Sequence, residues 1–125
     1  MRSADAVTTG NGARADPASD GRPGPPGFAA VVIDGTVMAV LSGDLDAGTR
    51  RVLARHLAQI ARLRPDRIIF EMSGVGFADC AAMRLLVGAG GSLPAGVRPV
   101  LNGPGPMPRR VLELTGLDAC CDILP

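Results

Sequence analysis

The sequence predicts a small α/β domain built on a mixed β-sheet, and three observations carry that prediction. Two β-rich runs, residues 28–33 and 36–41, flank Asp34-Gly35, the strongest short-range signal for a β-hairpin. Downstream, short apolar runs alternate with segments whose apolar residues recur at helical spacing, the pattern of strand–helix–strand crossovers. The chain has 125 residues, room for one domain. The expected order is β-β-α-β-α-β-α: an N-terminal hairpin followed by βαβα crossovers, with helices packed on the sheet.

Residues 1–27 read as a disordered N-terminal tail. Thr8-Thr9-Gly10-Asn11-Gly12 and the Pro/Gly-rich stretch 21–27 hold too little apolar surface to offset their ordering entropy. The fold is left with 28–125, enough for one modest core. The second hairpin strand is apolar almost throughout, as in a strand covered on both faces. After Gly43-Asp44-Leu45-Asp46, a first helix is predicted over about 47–63. Val52, Leu53, His56, Leu57, Ile60 and Leu63 recur there at helical spacing, with Arg50, Arg51, Arg55 and Arg62 elsewhere on its surface. Asp46 or Thr49 suits its N-cap, and Pro65 ends it.

Residues 67–71 read as a short buried strand bounded by Asp66 and Ser73-Gly74. Asp79 stands at the N-cap of a second helix, 80–87, whose single charge is Arg84; Gly88, Gly90 and Gly91 end it. The next strand spans 97–101, where Pro99 suggests an edge or a bulge. A third helix follows Gly103-Pro104-Gly105, with Pro108 in its first turn, Met107, Val111 and Leu114 as its apolar stripe, and Gly116 as the residue that closes it. Residues 121–124 add a last strand or a helical turn.

Composition narrows the functional classes. The chain is 46% hydrophobic and 20% charged, with 13 basic and 12 acidic residues and a net charge of +1, too balanced for a nucleic-acid binder or a polybasic membrane patch. No apolar run approaches the roughly 20 residues of a membrane span, and no secretory signal is visible, so a cytoplasmic location is expected. Three Phe with no Trp or Tyr leave almost no stacking platform for bases or sugars. Cys80, Cys120 and Cys121 are an odd number without framework spacing, which favours reduced thiols. His56 without a CxxC makes a zinc site improbable, and no catalytic constellation emerges. Gly88-Ala89-Gly90-Gly91 lies after a helix instead of between a strand and a helix, which excludes a dinucleotide loop.

One segment stands out chemically. The strand ending at Glu71 leads through Ser73-Gly74-Val75-Gly76-Phe77 to Asp79-Cys80-Ala81-Ala82, where a helix N-terminus exposes unpaired N–H groups and the positive end of a dipole. Any negative charge placed on an accessible residue there is stabilised.

Four motifs in order resemble those of STAS domains, the family of anti-sigma factor antagonists. Gly43-Asp44-Leu45-Asp46 resembles the family's G-E-L-D turn. Arg64-Pro65-Asp66-Arg67 precedes the next strand as is common there. Residues 71–79 (EMSGVGFAD) are similar to its D-L-S-x-V-x-F-x-D segment, and residues 109–117 (RRVLELTGL) to its last helix with a T-G-L ending. The resemblance implies a non-enzymatic domain, without cofactor or metal, that docks on an anti-sigma factor and releases a sigma factor for transcription. Such partners include Ser/Thr kinases with a histidine-kinase-like ATP site. It implies Cys80 at the phospho-acceptor position, where phosphorylated members carry Ser. It further implies a docking surface of Asp44, Asp46, Ser73, Asp79, Cys80, Ala81, Met83 and Arg84. A monomer or weak dimer is expected, bound to neither nucleic acid nor membrane. The alternatives are a STAS module of a lipid-transport complex or stress-signalling scaffold, and a thiol redox sensor using Cys80.

Overall fold

The computed structural model describes residues 5–8 and 27–125. Six strands lie in one sheet in their order along the chain: β1 (Asp5–Thr8), β2 (Gly27–Ile33), β3 (Thr36–Leu45), β4 (Arg67–Ala78), β5 (Val100–Asn102) and β6 (Asp122–Leu124). The pairs β1–β2 and β2–β3 are antiparallel, and the remaining pairs are parallel. The helices α1 (Arg50–Arg62), α2 (Cys80–Gly88) and α3 (Pro106–Thr115) supply the three crossovers. Each crossover advances one strand in the same direction, so right-handed connections stack all three helices on one face. The mixed α/β architecture is the expected one.

Within the stretch read as a tail, Asp5–Thr8 pairs with β2 from Asp5↔Val32 to Thr8↔Ala29. For these four residues the expectation of disorder does not hold. A backbone ladder needs no apolar side chain, and β2 would otherwise present an open row of N–H and C=O groups. Residues 1–4 and 9–26 lie outside the described residues.

The hairpin turn behaves as its dipeptide demands. Asp34 (φ 49°) and Gly35 (φ 80°) are both left-handed, as a two-residue type I′ turn requires, and Ile33 pairs with Thr36. The Gly35 carbonyl then accepts the Asp66 N–H at 2.7 Å, tying the start of β4 to the turn.

Between sheet and helices sits one core. Phe28, Ala30, Val37, Ala39, Leu41, Ile68, Phe70, Met72 and Leu101 point from the sheet into Leu53, Leu57, Ile60, Met83, Leu86 and Leu112 of the helices. α1 buries Leu53, His56, Leu57 and Ile60, the face expected. The His56 ring stacks on Phe28 with centroids 4.4 Å apart, a packed histidine.

Three expectations need correction. Strand β4 does not stop at Glu71 but runs to Ala78. Gly74 is no terminator, because a Cβ there would lie 3.1 Å from the Leu41 carbonyl oxygen; glycine lets β3 approach at a register shift. Pro99 marks neither an edge nor a bulge. It precedes β5, which is flanked by β4 and β6, so its missing N–H falls outside the ladder while its carbonyl accepts the Asp122 N–H. The apolar stripe of α3 is not Met107, Val111 and Leu114. Leu114 is 74% exposed and Met107 is exposed, whereas Pro108 and Leu112 are buried and Val111 packs beside them. The helix begins at Pro106, and its docked face reads Pro108, Val111, Leu112, Thr115, the i, i+3, i+4, i+7 set.

Leu57→Ala and Leu112→Ala should each lower stability by about 2–5 kcal/mol, while Leu114→Ala should change it by less than about 0.5 kcal/mol. Urea unfolding of the three variants checks the assigned faces. Burial pushes the His56 imidazole below its ordinary pKa of 6.5, opposed by a hydrogen bond with Gln59 and reinforced by Arg55. Between the lowered value and 6.5 the unfolded chain binds more protons, so stability is full above about 6.5 and declines as the pH falls. Melting temperatures at pH 7.5 and 5.5 should differ accordingly, and His56→Phe should shrink the difference.

Candidate functional site

The candidate site lies where β3 and β4 end. Their pairing continues through Ser42↔Gly74, Gly43↔Val75, Asp44↔Phe77 and Leu45↔Ala78, with shifts of register between Val40 and Ser42 and between Gly43 and Asp44. The Asp79 N–H then donates to the Leu45 carbonyl at 2.9 Å, which closes the ladder one residue before α2 begins. Parallel strands joined by crossovers send both loops to the same end, so the starts of α1 and α2 sit side by side.

Asp79 caps α2. Its backbone is extended (φ −81°, ψ 172°), and Oδ1 accepts the Ala82 N–H at 2.8 Å. Its Oδ2 takes a 3.3 Å ion pair from Arg50 Nη2 in the first turn of α1. One carboxylate thus serves both helix starts. Thr49 is the N-cap of α1, yet its hydroxyl turns back into the loop. There it accepts the Asp46 N–H at 3.0 Å and donates to the Asp44 carbonyl at 3.0 Å, while Asp46 Oδ1 accepts the Gly48 N–H at 3.0 Å. The loop is tied to itself before the helix starts. The Asp44 side chain makes no hydrogen bond among the described residues, and a Cβ on Gly76 would stand 3.7 Å from its Oδ1.

Of the residues singled out in the sequence, Asp44, Asp46, Asp79, Cys80 and Ala81 gather at this end. Cys80 is exposed as the first residue of α2, and Arg84 is exposed one turn further on. Met83 is a correction. It is fully buried on the sheet side of α2, so it packs and offers no contact surface. Ser73 lies six residues before Asp79, within β4. It belongs to another cluster on the sheet face away from the helices. Its hydroxyl donates to Glu71 Oε2 at 2.7 Å, and Asn102 Nδ2 donates to Oε1. These bonds hold the Glu71 carboxyl below its ordinary pKa, the Ser73 hydroxyl first among them.

Sequence reasoning missed two features. Arg50 looked like a surface charge, because nothing local joins it to a residue 29 positions away. Phe77, 39% exposed and paired with Asp44, offers an aromatic contact at the same end; strict alternation from the buried Val75 would have turned it inward, and it faces out beside the register shift between Gly43 and Asp44. The other thiols differ in character. Cys120 is exposed, whereas Cys121 is buried and its pKa is pushed up to about 11, mainly by burial and then by Asp118 and Asp122.

Asp79→Ala should lower stability by about 0.5–2 kcal/mol through loss of the cap. Arg50→Ala removes only a partly exposed ion pair and should lower it by less than about 1 kcal/mol. Equal losses in urea unfolding would mean that the ion pair, not the cap, dominates.

The sequence profile of the STAS domain matches residues 28–123. In three dimensions the chain is similar to an anti-sigma factor antagonist from Mycobacterium paratuberculosis, at a TM-score of 0.72 and 23% identity, covering 80% of this chain and 86% of that one. It is similar to the anti-sigma factor antagonist SpoIIAA in its unphosphorylated form, at 0.65 and 24%, covering 78% of this chain and 88% of that one. The Bacillus cell fate determinant SpoIIAA in the phosphorylated form gives 0.59 and 24%, covering 78% and 91%. No curated protein matches the chain in sequence. Those structural likenesses are ones of fold, and the profile spans the sheet from β2 onward with all three helices: the chain belongs to the STAS domain family.

Proposed function

We infer that this protein is a cytoplasmic anti-sigma factor antagonist, a binding protein and not an enzyme, whose docking frees a sigma factor for transcription. The observation that carries the reading is the strand-end arrangement. A capped helix start with an exposed first residue lies beside an acidic loop, at the place where the family's phosphorylated members carry their acceptor. The similarity in fold to antagonists, one of them in a phosphorylated form, supports it. The docking surface is Asp44, Asp46, Asp79, Cys80, Ala81 and Arg84, with Phe77 added. The partner is an anti-sigma factor of the kinase type.

Cys80 sets the regulation. A Ser/Thr kinase transfers phosphate to a hydroxyl, so this chain is an antagonist that is either constitutive or controlled by its amount, not by phosphorylation at that position. In phosphorylated members the added charge and bulk would break a docked interface by repulsion and desolvation. Here that step is missing.

The test mixes the full chain with a purified kinase-type anti-sigma factor from its own genome, with and without ATP. Binding without phosphate incorporation is expected for the native chain. Cys80→Ser should gain one phosphate at residue 80 by peptide mapping and lose affinity once modified. Phosphate on the native chain at Thr49 or Ser73 would refute control by amount alone. Asp44→Arg, Asp46→Arg and Asp79→Arg should each slow association and alter its salt dependence. If all three bind at native rates, the docking surface lies elsewhere.

A further inference from the structure

A second surface lies down the helical face from the strand-end site. A groove of about 340 Å³ runs between α1 and α2, with Ala54, Ala58 and Ala61 on one wall and Leu85 and Gly88 on the other. Alanines keep the α1 wall low, and Leu57, almost fully buried, forms the floor. The upper end is continuous with the exposed ridge of α2, because Cys80, Arg84 and Gly88 follow one another at i, i+4 and i+8.

Charge defines what fits there. Neither α1 nor α2 contains an Asp or Glu, and together they carry five Arg. Arg50 is held by Asp79. Arg51, Arg55, Arg62 and Arg84 are exposed, and none makes an ion pair with a described residue. Arg51, Arg55 and Arg62, at i, i+4 and i+11, form one row on the solvent side of the alanine wall. Arg84 stands on the opposite wall. An apolar floor is therefore rimmed on one side by Arg51, Arg55 and Arg62 and on the other by Arg84, none of them ion-paired with a described residue.

We propose that this groove is a docking site for an acidic amphipathic helix of a protein partner. Apolar side chains of that helix at i, i+3 or i+4 and i+7 seat on the floor, and its flanking carboxylates meet the two arginine rims. The wall from Ala54 to Ala61 is about 10 Å long, two turns of helix. A nucleic acid would use the charges and leave the apolar floor unfilled. The proposal rests on the binding reading above only in taking the occupant to be a protein, and its test does not use the anti-sigma factor.

The probes are two synthetic helical peptides sharing a Leu stripe at i, i+3, i+4 and i+7, one flanked by Glu and the other by Lys. Each is titrated into the ¹⁵N-labelled full chain. The Glu peptide should bind and shift the amides of Ala54, Ala58, Ala61, Arg84 and Gly88; the Lys peptide should not. The double variant R55E/R84E should weaken the Glu peptide by about tenfold or more and gain binding to the Lys peptide. Ala58→Phe, at an exposed position, should block the groove without unfolding α1. Equal binding of both peptides, shifts confined to other surfaces, or binding of neither peptide overturns the proposal. So does binding of phosphatidylglycerol vesicles that Ala58→Phe leaves unchanged. If the Glu peptide binds as described and no anti-sigma factor does, the groove stands and the antagonist reading falls.

Discussion

The parallel pairing of β3 with β4 is the constraint from which the other features follow. It is the long ladder of the sheet, it joins the hairpin to the two short C-terminal strands, and it continues past its register shifts to Leu45 and Ala78. The Asp79 N–H bonds to Leu45 at the moment the chain leaves the sheet, so α2 starts at a position set by the ladder itself. Gly74 makes this possible, since any side chain there would press on the backbone of β3. In an open α/β sheet the carboxyl ends of the strands are where loops converge and ligands bind. Here the same end brings together Asp44, Asp46, Phe77, Asp79 and Cys80.

Layering is the second consequence. Consecutive crossovers that always step the same way leave one sheet face buried under three helices and the other uncovered by any described element. The burial pattern records the difference: Val37, Ala39 and Leu41 are buried, while Met38 and Val40 between them are exposed. On that second face the Glu71 carboxylate collects Ser73 and Asn102, which ties β4 to β5 with side chains where the ladder is only three residues long.

Electrostatics divides the helical side into two zones. The end of β3 and the loops that follow β3 and β4 carry Asp44, Asp46 and Asp79; the charged side chains of α1 and α2 behind them are all arginines. Arg50 and Asp79 meet at the seam, and that pair links the first turn of α1 to the cap of α2. A partner approaching from this side meets acidic loops at the strand ends and cations along the helices, with the exposed thiol of Cys80 beside the acidic zone.

Much of the fold was legible in the residues, because local rules wrote it. Asp34-Gly35 demands a type I′ turn, Leu53, Leu57 and Ile60 demand a buried helical face, and Asp79 before an apolar helix demands a cap. Of the candidate site residues, Asp44, Asp46, Asp79 and Cys80 came from ordered motifs, and they lie at one end of the sheet. Where the reading failed, the deciding neighbour was distant in sequence. Gly74 resembles a strand terminator until β3 lies against it. Met83 and Arg84 are equally plausible surface residues until the sheet claims one of them. Leu112 and Leu114 compete for the same core until α3 docks, and Arg50 has no evident role until Asp79 stands beside it. The sequence by itself determined the hairpin, the three helices, the order of the elements from β2 onward and the chemistry of the helix start, all of which depend on contacts within a few residues. Only the tertiary structure decided which face each helix turns inward and which charges share a surface, because those depend on which strands pair and in what register.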